Sequence, residues 1–425
     1  MLAAMGEPSV RAIHPPAELR AAADVLRDVL LLAEPMPAEA VAPRSALGRV
    51  LAGAVASPVA LPRFDNAAMD GYAVRADDLS GATEATPVRL RVAGTSVAGE
   101  PCRLALASGS VVHIATGAPM PAGGDAVVRL EDVTAPSAAP AGPEAVAFRA
   151  AVARGANVRR AGEDVEAGDV LLVAGSEVGP GQVAAAAAAG IEHVPVHRRP
   201  RVAVVVTGDE VVSAGTTVGE AHVADAIGPA LCALLDGAGC VSSLLGPIPD
   251  GAGDAARALA EAARGADVVV TAGGISMGPR DNVRAALLSA GASVVAVAIR
   301  PGKPFAFGRR DQCLMFGLPG NPVSALVAFE VFVRPALSAL MGRSPHERSR
   351  VRARLEEPFE QRPGRLHLVR ARLEEAPGGA RVRALGGQGA GSLGSLARAN
   401  AWMIVDPQVE RLDAGAEVET WPALP

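Results

Sequence analysis

Hydrophobic positions along the chain change their period several times, and the change is sharpest around residues 267 to 283, DVVVTAGGISMGPRDNV. Val268, Val269, Val270 and Thr271 follow one another without polar alternation, the pattern of a strand buried on both faces. Gly273 and Gly274 then let the backbone turn sharply, and Asn282 opens a helix through Leu287. The same texture extends from Arg201 onward. RVAVVVTGDE, CVSSLLG, SVVAVAI (293–299), FAFG and CLMFG read as strands, while GPALCALLDGAG and DAARALAEAARG read as helices. A long helix starts on Pro322 in PVSALVAFEVFVRPALSALMG. Such alternation predicts an α/β domain over 197–343, a largely parallel, doubly wound sheet that binds ligands outside the carboxyl ends of its strands.

The flanking stretches read differently. Residues 17–33 carry Leu19, Val25, Leu26, Val29 and Leu30 on one side of a helix, and a second short helix is expected from Pro37 or Ala38. Short β-like runs such as VRLRVAG (88–94) and SVVHIATG (110–117), separated by Gly, Pro and Ser, predict a small β insert domain over 58–152. The Pro- and Ala-rich segment 134–145 is expected to be a surface loop inside it. The Ala run 183–190 forms another helix, ended by Gly190, so 10–57 and 153–196 are expected to make one discontinuous domain. From 344 to 425 the runs VRARL, LHLVRARL, RVRAL and AWMIVD alternate as a C-terminal β domain.

Composition narrows the class. The 425 residues are 50% hydrophobic and 20% charged, as a globular chain of about three or four domains should be. A net charge of −5 leaves no electrostatic footprint for nucleic acid. Aromatics are only 3%, so the cores must be packed mainly by Ala, Val and Leu. Cys102, Cys232, Cys240 and Cys313 lie far apart without metal spacing, as reduced structural thiols do. No signal peptide is visible, and the most apolar helix candidate, GQVAAAAAAG, falls short of the ~20 residues of a membrane span. These features predict a cytoplasmic, soluble protein without membrane partners.

Four segments follow strands of the α/β domain: Thr207-Gly208-Asp209-Glu210, the turn from Thr271 to Asp281, Pro301-Gly302-Lys303-Pro304, and Leu318-Pro319-Gly320-Asn321-Pro322. In a parallel sheet all four crowd one edge. Glycine turns with Arg300 and Lys303 suit phosphate, because backbone N–H groups and cations stabilise it together. Asp209, Glu210, Asp250 and Asp281 suit a hard cation such as Mg²⁺. Neither GxxxxGK[ST] nor GxGxxG occurs, no histidine falls in a metal pattern, and no nucleophile with a neighbouring base stands out. The cluster Arg159, Arg160, Glu163, Asp164 and Asp169 reads by itself as a solvated face.

FDNAAMDGYAV, ATGAPMP, NVRRAGED, TGDE, TAGGISMGPRD, RPGKPFAFG and LPGNPVSA occur in an order that resembles the molybdopterin molybdenumtransferase family, the MoeA and gephyrin E-domain type. GQGAGSLGSLARANAWMIV extends the resemblance into the C-terminal domain. It implies an elongated homodimer whose discontinuous domain serves dimerisation, and an α/β domain similar to the molybdopterin adenylyltransferases. The implied reaction is insertion of molybdate into adenylylated molybdopterin, with Mg²⁺, giving molybdenum cofactor and AMP. By motif position Asp65, Thr116, Asp164, Glu210 and Asp281 match positions implicated in activity, with Glu210, Asp250 and Asp281 on the metal. The expected substrate-binding set is Thr207, Gly208, Asp209, Asp225, Asp250, Gly273, Gly274, Ser276, Arg300, Gly302, Lys303, Pro319, Pro322 and Ser324. The resemblance also implies that Asp65 and Thr116 of one subunit serve the α/β domain of the other. Molybdopterin adenylyltransferase and cofactor-accepting molybdoenzymes are the implied partners.

Four positions depart from the family pattern: Asp225-Ala226-Ile227 stands where Asp-Ser-Asn is usual, and Ala67 and Ala272 stand where serines are usual. Two other functions remain beside the transferase. An adenylyltransferase would use the same α/β module, but the smaller enzymes of that kind lack FDNAAMD and NVRRAGED. A receptor-clustering scaffold, a role gephyrin also has, finds no appended partner domain in this chain.

Overall fold

The computed structural model describes residues 18–137, 144–275, 282–344 and 349–422. They form two compact units, one of Glu39–Val196 and one of the described residues up to Ala38 with those from His197 onward.

In the second of these, six strands form one sheet in the order Val241–Ile248, Arg201–Thr207, Val268–Ala272, Cys313–Leu318, Pro304–Arg310, Ser293–Ala296. The first four are mutually parallel, and Pro304–Arg310 runs antiparallel to both of its neighbours. Val268, Val269 and Val270 are wholly buried, as a strand covered on both faces requires. Helices Ile227–Gly237 and Ala252–Gly265 cover opposite faces, since Leu231 and Leu235 join one apolar cluster and Leu259 the other. The helix from Pro322 runs to Leu340 with a π turn at Phe329–Val333, where Arg334 donates to the buried Glu330 at 2.6 Å. Among the described residues this 19-residue segment, not the Ala run, is the helix long and apolar enough to span a membrane, and 78% of its apolar window is buried in the core. The opening helix, Ala22–Leu30, packs Val25 and Val29 into that same core, so its apolar stripe serves the α/β domain and not the discontinuous one.

Past residue 344, strands Leu366–Glu374, Arg381–Ala384, Val351–Leu355, Glu417–Pro422 and Ala401–Val405 pair in a closed ring, a five-stranded barrel. Val369, Ala371, Val382 and Met403 fill it. The run expected as one strand, SVVAVAI, is divided. Ser293–Ala296 stays in the α/β sheet, while Ile299–Arg300 pairs in parallel with Leu366 and His367 of the barrel. One stretch of chain thereby fastens the barrel to the sheet, immediately before the Pro-Gly-Lys-Pro turn.

In the other unit the sheet order is Ala126–Arg129, Gly71–Val74, Ser110–Ile114, Val88–Ser96, Ala145–Phe148, Val133–Ser137. The last strand occupies part of the segment expected to be a loop; residues 138–143 lie outside the described residues. A separate core gathers Ala46 and Leu51 with Leu172, Val178, Ala186, Val194 and Val196, from both sides of the insert in sequence. Where a second helix was expected from Pro37 or Ala38, a strand, Ala38–Val41, pairs with Val194–His197, and a 3₁₀ turn follows at Pro43–Ala46.

Candidate active site

At the carboxyl edge of the α/β sheet the chain brings its glycine turns together. Three of them follow parallel strands, after Thr207, Ala272 and Leu318. Pro301–Pro304 arrives by a different route, at the start of an antiparallel strand whose Ala306 faces Gly317. Gly273 donates its N–H to the Leu318 carbonyl at 3.2 Å, and its φ of +102° suits glycine. A Cβ at Gly273 would lie 2.7 Å from the Thr207 carbonyl oxygen, so Thr207 and the turn touch backbone to backbone. Gly302, at φ +102°, lies against Ser324, where a Cβ would meet the Ser324 Cβ at 3.3 Å. Thr207 Oγ1 is buried beside both Gly273 and Gly274 without a hydrogen-bond partner among the described residues.

The carboxylates at this edge are ordered by the backbone. Asp250 N–H donates to Asp209 Oδ1 at 2.9 Å, and Asp209 N–H reaches Asp250 Oδ2 at 3.4 Å. Glu210 is exposed beside them. Asp225 is explained by local structure, because its Oδ1 accepts from the N–H groups of Ile227 and Gly228 at 2.9 Å each and caps the following helix. Pro319 is buried and Pro322 begins its helix, as the Leu-Pro-Gly-Asn-Pro turn needs. Lys303 is exposed in its turn. Arg300 lines a polar cavity of about 570 Å³ with Glu360, Gln361, Arg362, Glu410 and Arg411. Ser276 and Asp281 lie outside the described residues. Among the described residues no three His, Cys, Asp or Glu side chains are gathered to hold a metal ion.

The Glu39–Val196 unit knits three other motifs. Asp65 Oδ1 accepts from Ala161 N–H at 2.8 Å and Oδ2 from Arg160 at 2.7 Å. Those bonds, the backbone one foremost, hold its carboxyl below the usual carboxylate range. Arg160 N–H in turn donates to Glu163 at 2.7 Å, and Asp164 is exposed next to it. The charge cluster is therefore partly an internal brace. Thr116 is fastened to Asp70, which accepts from its N–H at 2.6 Å and faces its hydroxyl at 3.0 Å.

Comparison with known proteins gives this arrangement a context. Residues 18–190 match the MoeA N-terminal region (domain I and II), 203–339 a probable molybdopterin binding domain, and 352–423 the MoeA C-terminal region (domain IV). The chain is 38% identical over 387 residues to molybdopterin molybdenumtransferase 2 of Mycobacterium tuberculosis, covering 88% of this chain and 93% of the relative. The chain belongs to the molybdopterin molybdenumtransferase (MoeA) family. A Haemophilus influenzae molybdopterin molybdenumtransferase is 35% identical over 386 residues, covering 89% of this chain and 92% of that one. A molybdopterin biosynthesis MoeA protein from Pyrococcus horikosii superposes with a TM-score of 0.82 at 32% identity, covering 95% of this chain and 99% of that one. Fold and enzyme class agree with the expectation from sequence: this is a multidomain MoeA-type transferase of molybdenum cofactor biosynthesis.

Within this MoeA fold one residue escaped the sequence reading. Arg370 is wholly buried, donates Nη2 to the Gly387 carbonyl at 3.0 Å, and leaves Nε and Nη1 without partners among the described residues. It lies under the loop that carries Ala390, whose carbonyl accepts the N–H of Val323 next to the Leu-Pro-Gly-Asn-Pro turn. The signal was available: Leu366, Leu368 and Arg370 share one parity on their strand, so the arginine occupies an apolar position.

Proposed function

We propose that this chain inserts molybdate into adenylylated molybdopterin, with Mg²⁺, releasing AMP, and that it works in the cytoplasm as a homodimer. The observation that carries the reading is the convergence of four glycine-bearing turns on one sheet edge, in a chain whose relatives are named molybdopterin molybdenumtransferase. Backbone N–H groups in the glycine turns after Ala272 and Leu318 would hold the phosphates, with Lys303 adding a point charge. The wholly buried charge of Arg370, answered by no carboxylate among the described residues, favours an oxyanion near the 386–392 loop.

Oxygen donors suit a hard cation, and Asp209, Glu210 and Asp250 at this edge would contribute them, although the described residues alone gather no complete ligand set. Glu210 and Asp250 would hold Mg²⁺, which would neutralise charge on the departing phosphate. The protein's own residues would fix the two phosphates relative to one another and keep the leaving group aligned. The test is AMP release from adenylylated molybdopterin, molybdate and Mg²⁺, by wild type and by Glu210→Gln. The proposal expects metal-dependent release that the variant loses while it stays folded. Wild-type protein that releases no AMP would contradict it.

A further inference from the structure

In the insert domain the structure fixes the direction of the Thr116 hydroxyl. Asp70 immediately precedes the strand Gly71–Val74, and Thr116 lies just past Ser110–Ile114. The two strands pair antiparallel with Gly71 opposite Ile114, which brings Asp70 and Thr116 to the same end. Gly71 anchors the end, because a side chain there would run into the backbone of Val128. Oδ1 of Asp70 accepts the Thr116 N–H at 2.6 Å and lies 3.0 Å from Thr116 Oγ1. An ionised carboxylate can only accept, and the Thr116 bonds, its N–H first, hold this one below its usual range. The proton of Oγ1 is therefore committed to Asp70, and the outward side of this exposed threonine carries lone pairs alone.

We propose that Asp70 is a positioning residue that turns the Thr116 hydroxyl into an acceptor, so that Thr116 meets an N–H or O–H donor of adenylylated molybdopterin. It does not meet a phosphate or molybdate oxygen, because two acceptors facing each other repel. The inference rests on the proposed transferase reading and on the resemblance by which Thr116 matches a position implicated in activity. Asp70 stands outside the residues that the resemblance implicates in activity, although it closes the same FDNAAMD motif as Asp65.

The experiment is steady-state kinetics of AMP release with the full-length protein, varying adenylylated molybdopterin and molybdate separately, beside melting temperatures. Thr116→Val should raise KM for adenylylated molybdopterin, or lower kcat/KM for it, by about tenfold, the usual worth of one hydrogen bond in a site. KM for molybdate should not move. Asp70→Ala should reproduce that effect, Asp70→Asn should recover most of it through its amide oxygen, and the double variant should lose no more than either single one. A Thr116→Val effect with Asp70→Ala at wild-type kinetics would overturn the inference while leaving the transferase reading intact. A raised KM for molybdate would also overturn it, because the hydroxyl would then be donating to an oxyanion. Wild-type kinetics in Thr116→Val would remove Thr116 from the site and refute the inference alone, whereas wild-type protein that releases no AMP would refute the transferase reading and the inference with it.

Discussion

His367 makes the protein sensitive to acid in a way that can be worked out from its hydrogen bonds. Gln361 donates its amide N–H groups to the carbonyls of Asp406 and Val409 at 2.9 and 2.8 Å, so its Oε1 must face His367 Nδ1 at 3.0 Å. The imidazole is thereby the Nδ1–H tautomer, and its Nε2 is buried without a partner among the described residues. Burial, with the charges of Arg300 and Arg370, pushes its pKa down to about 4. In the unfolded chain the value is about 6.5. As pH falls, the unfolded state takes the proton first, so stability is lost from about pH 6.5 downward until the folded form protonates near 4. Between pH 7 and pH 5 that single group costs about 2 kcal/mol, and about 3 kcal/mol once the window is passed. Urea melts of wild type and His367→Phe at pH 7, 6 and 5 isolate this contribution, since every other titrating group is shared. The variant starts less stable, because Gln361 loses its donor, but it should lose about 2 kcal/mol less on acidification. Parallel pH profiles for the two proteins would refute the argument.

Other perturbations follow from the same geometry. Gly273→Ala should destabilise by about 3 kcal/mol and abolish AMP release, because its φ of +102° and the Thr207 carbonyl 2.7 Å from the new Cβ leave the turn no relaxed form; a variant with wild-type melting temperature and activity would contradict this. Asp267 accepts from Arg198 at 2.8 Å through both oxygens and from Arg201 N–H at 2.8 Å. Burial opposes ionisation there, but these bonds prevail and hold its pKa at about 2. Asp267→Asn should cost about 2 kcal/mol at pH 7, a difference from wild type that shrinks as pH falls from 4 to 2 in thermal melts. Lys303→Ala should weaken binding of the phosphorylated pterin about tenfold with little change in melting temperature, measured by calorimetry.

Much of the fold was legible because periodicity reports burial. Val268–Ala272 and the Pro322 helix stand where the unbroken apolar run and the helix-initiating proline predicted them. Periodicity does not report which core an apolar stripe enters. Ala22–Leu30 was recognisable as an amphipathic helix, but its attachment to the α/β core depends on long-range contacts. The division of SVVAVAI between two sheets was hidden for the same reason, since every residue of the run suits either sheet. The close approach of the glycine turns was readable because glycine marks backbone that must turn or pack tightly. Arg370 was not, because a buried cation looks like a surface one until the parity of its strand is read against the apolar face. Asp225, also expected to bind substrate, has a second task that periodicity does not show, since its Oδ1 accepts the first N–H groups of a helix.

The measurement that bears most directly on the central claim scores the product itself. Purified protein is incubated with adenylylated molybdopterin, molybdate and Mg²⁺, and the mixture is added to an apo molybdoenzyme. The account predicts recovery of that enzyme's activity in proportion to the AMP released, and no recovery when molybdate is omitted. AMP release without any molybdate-dependent recovery would contradict it, and would leave the chain a phosphate-cleaving relative and not a metal-inserting transferase.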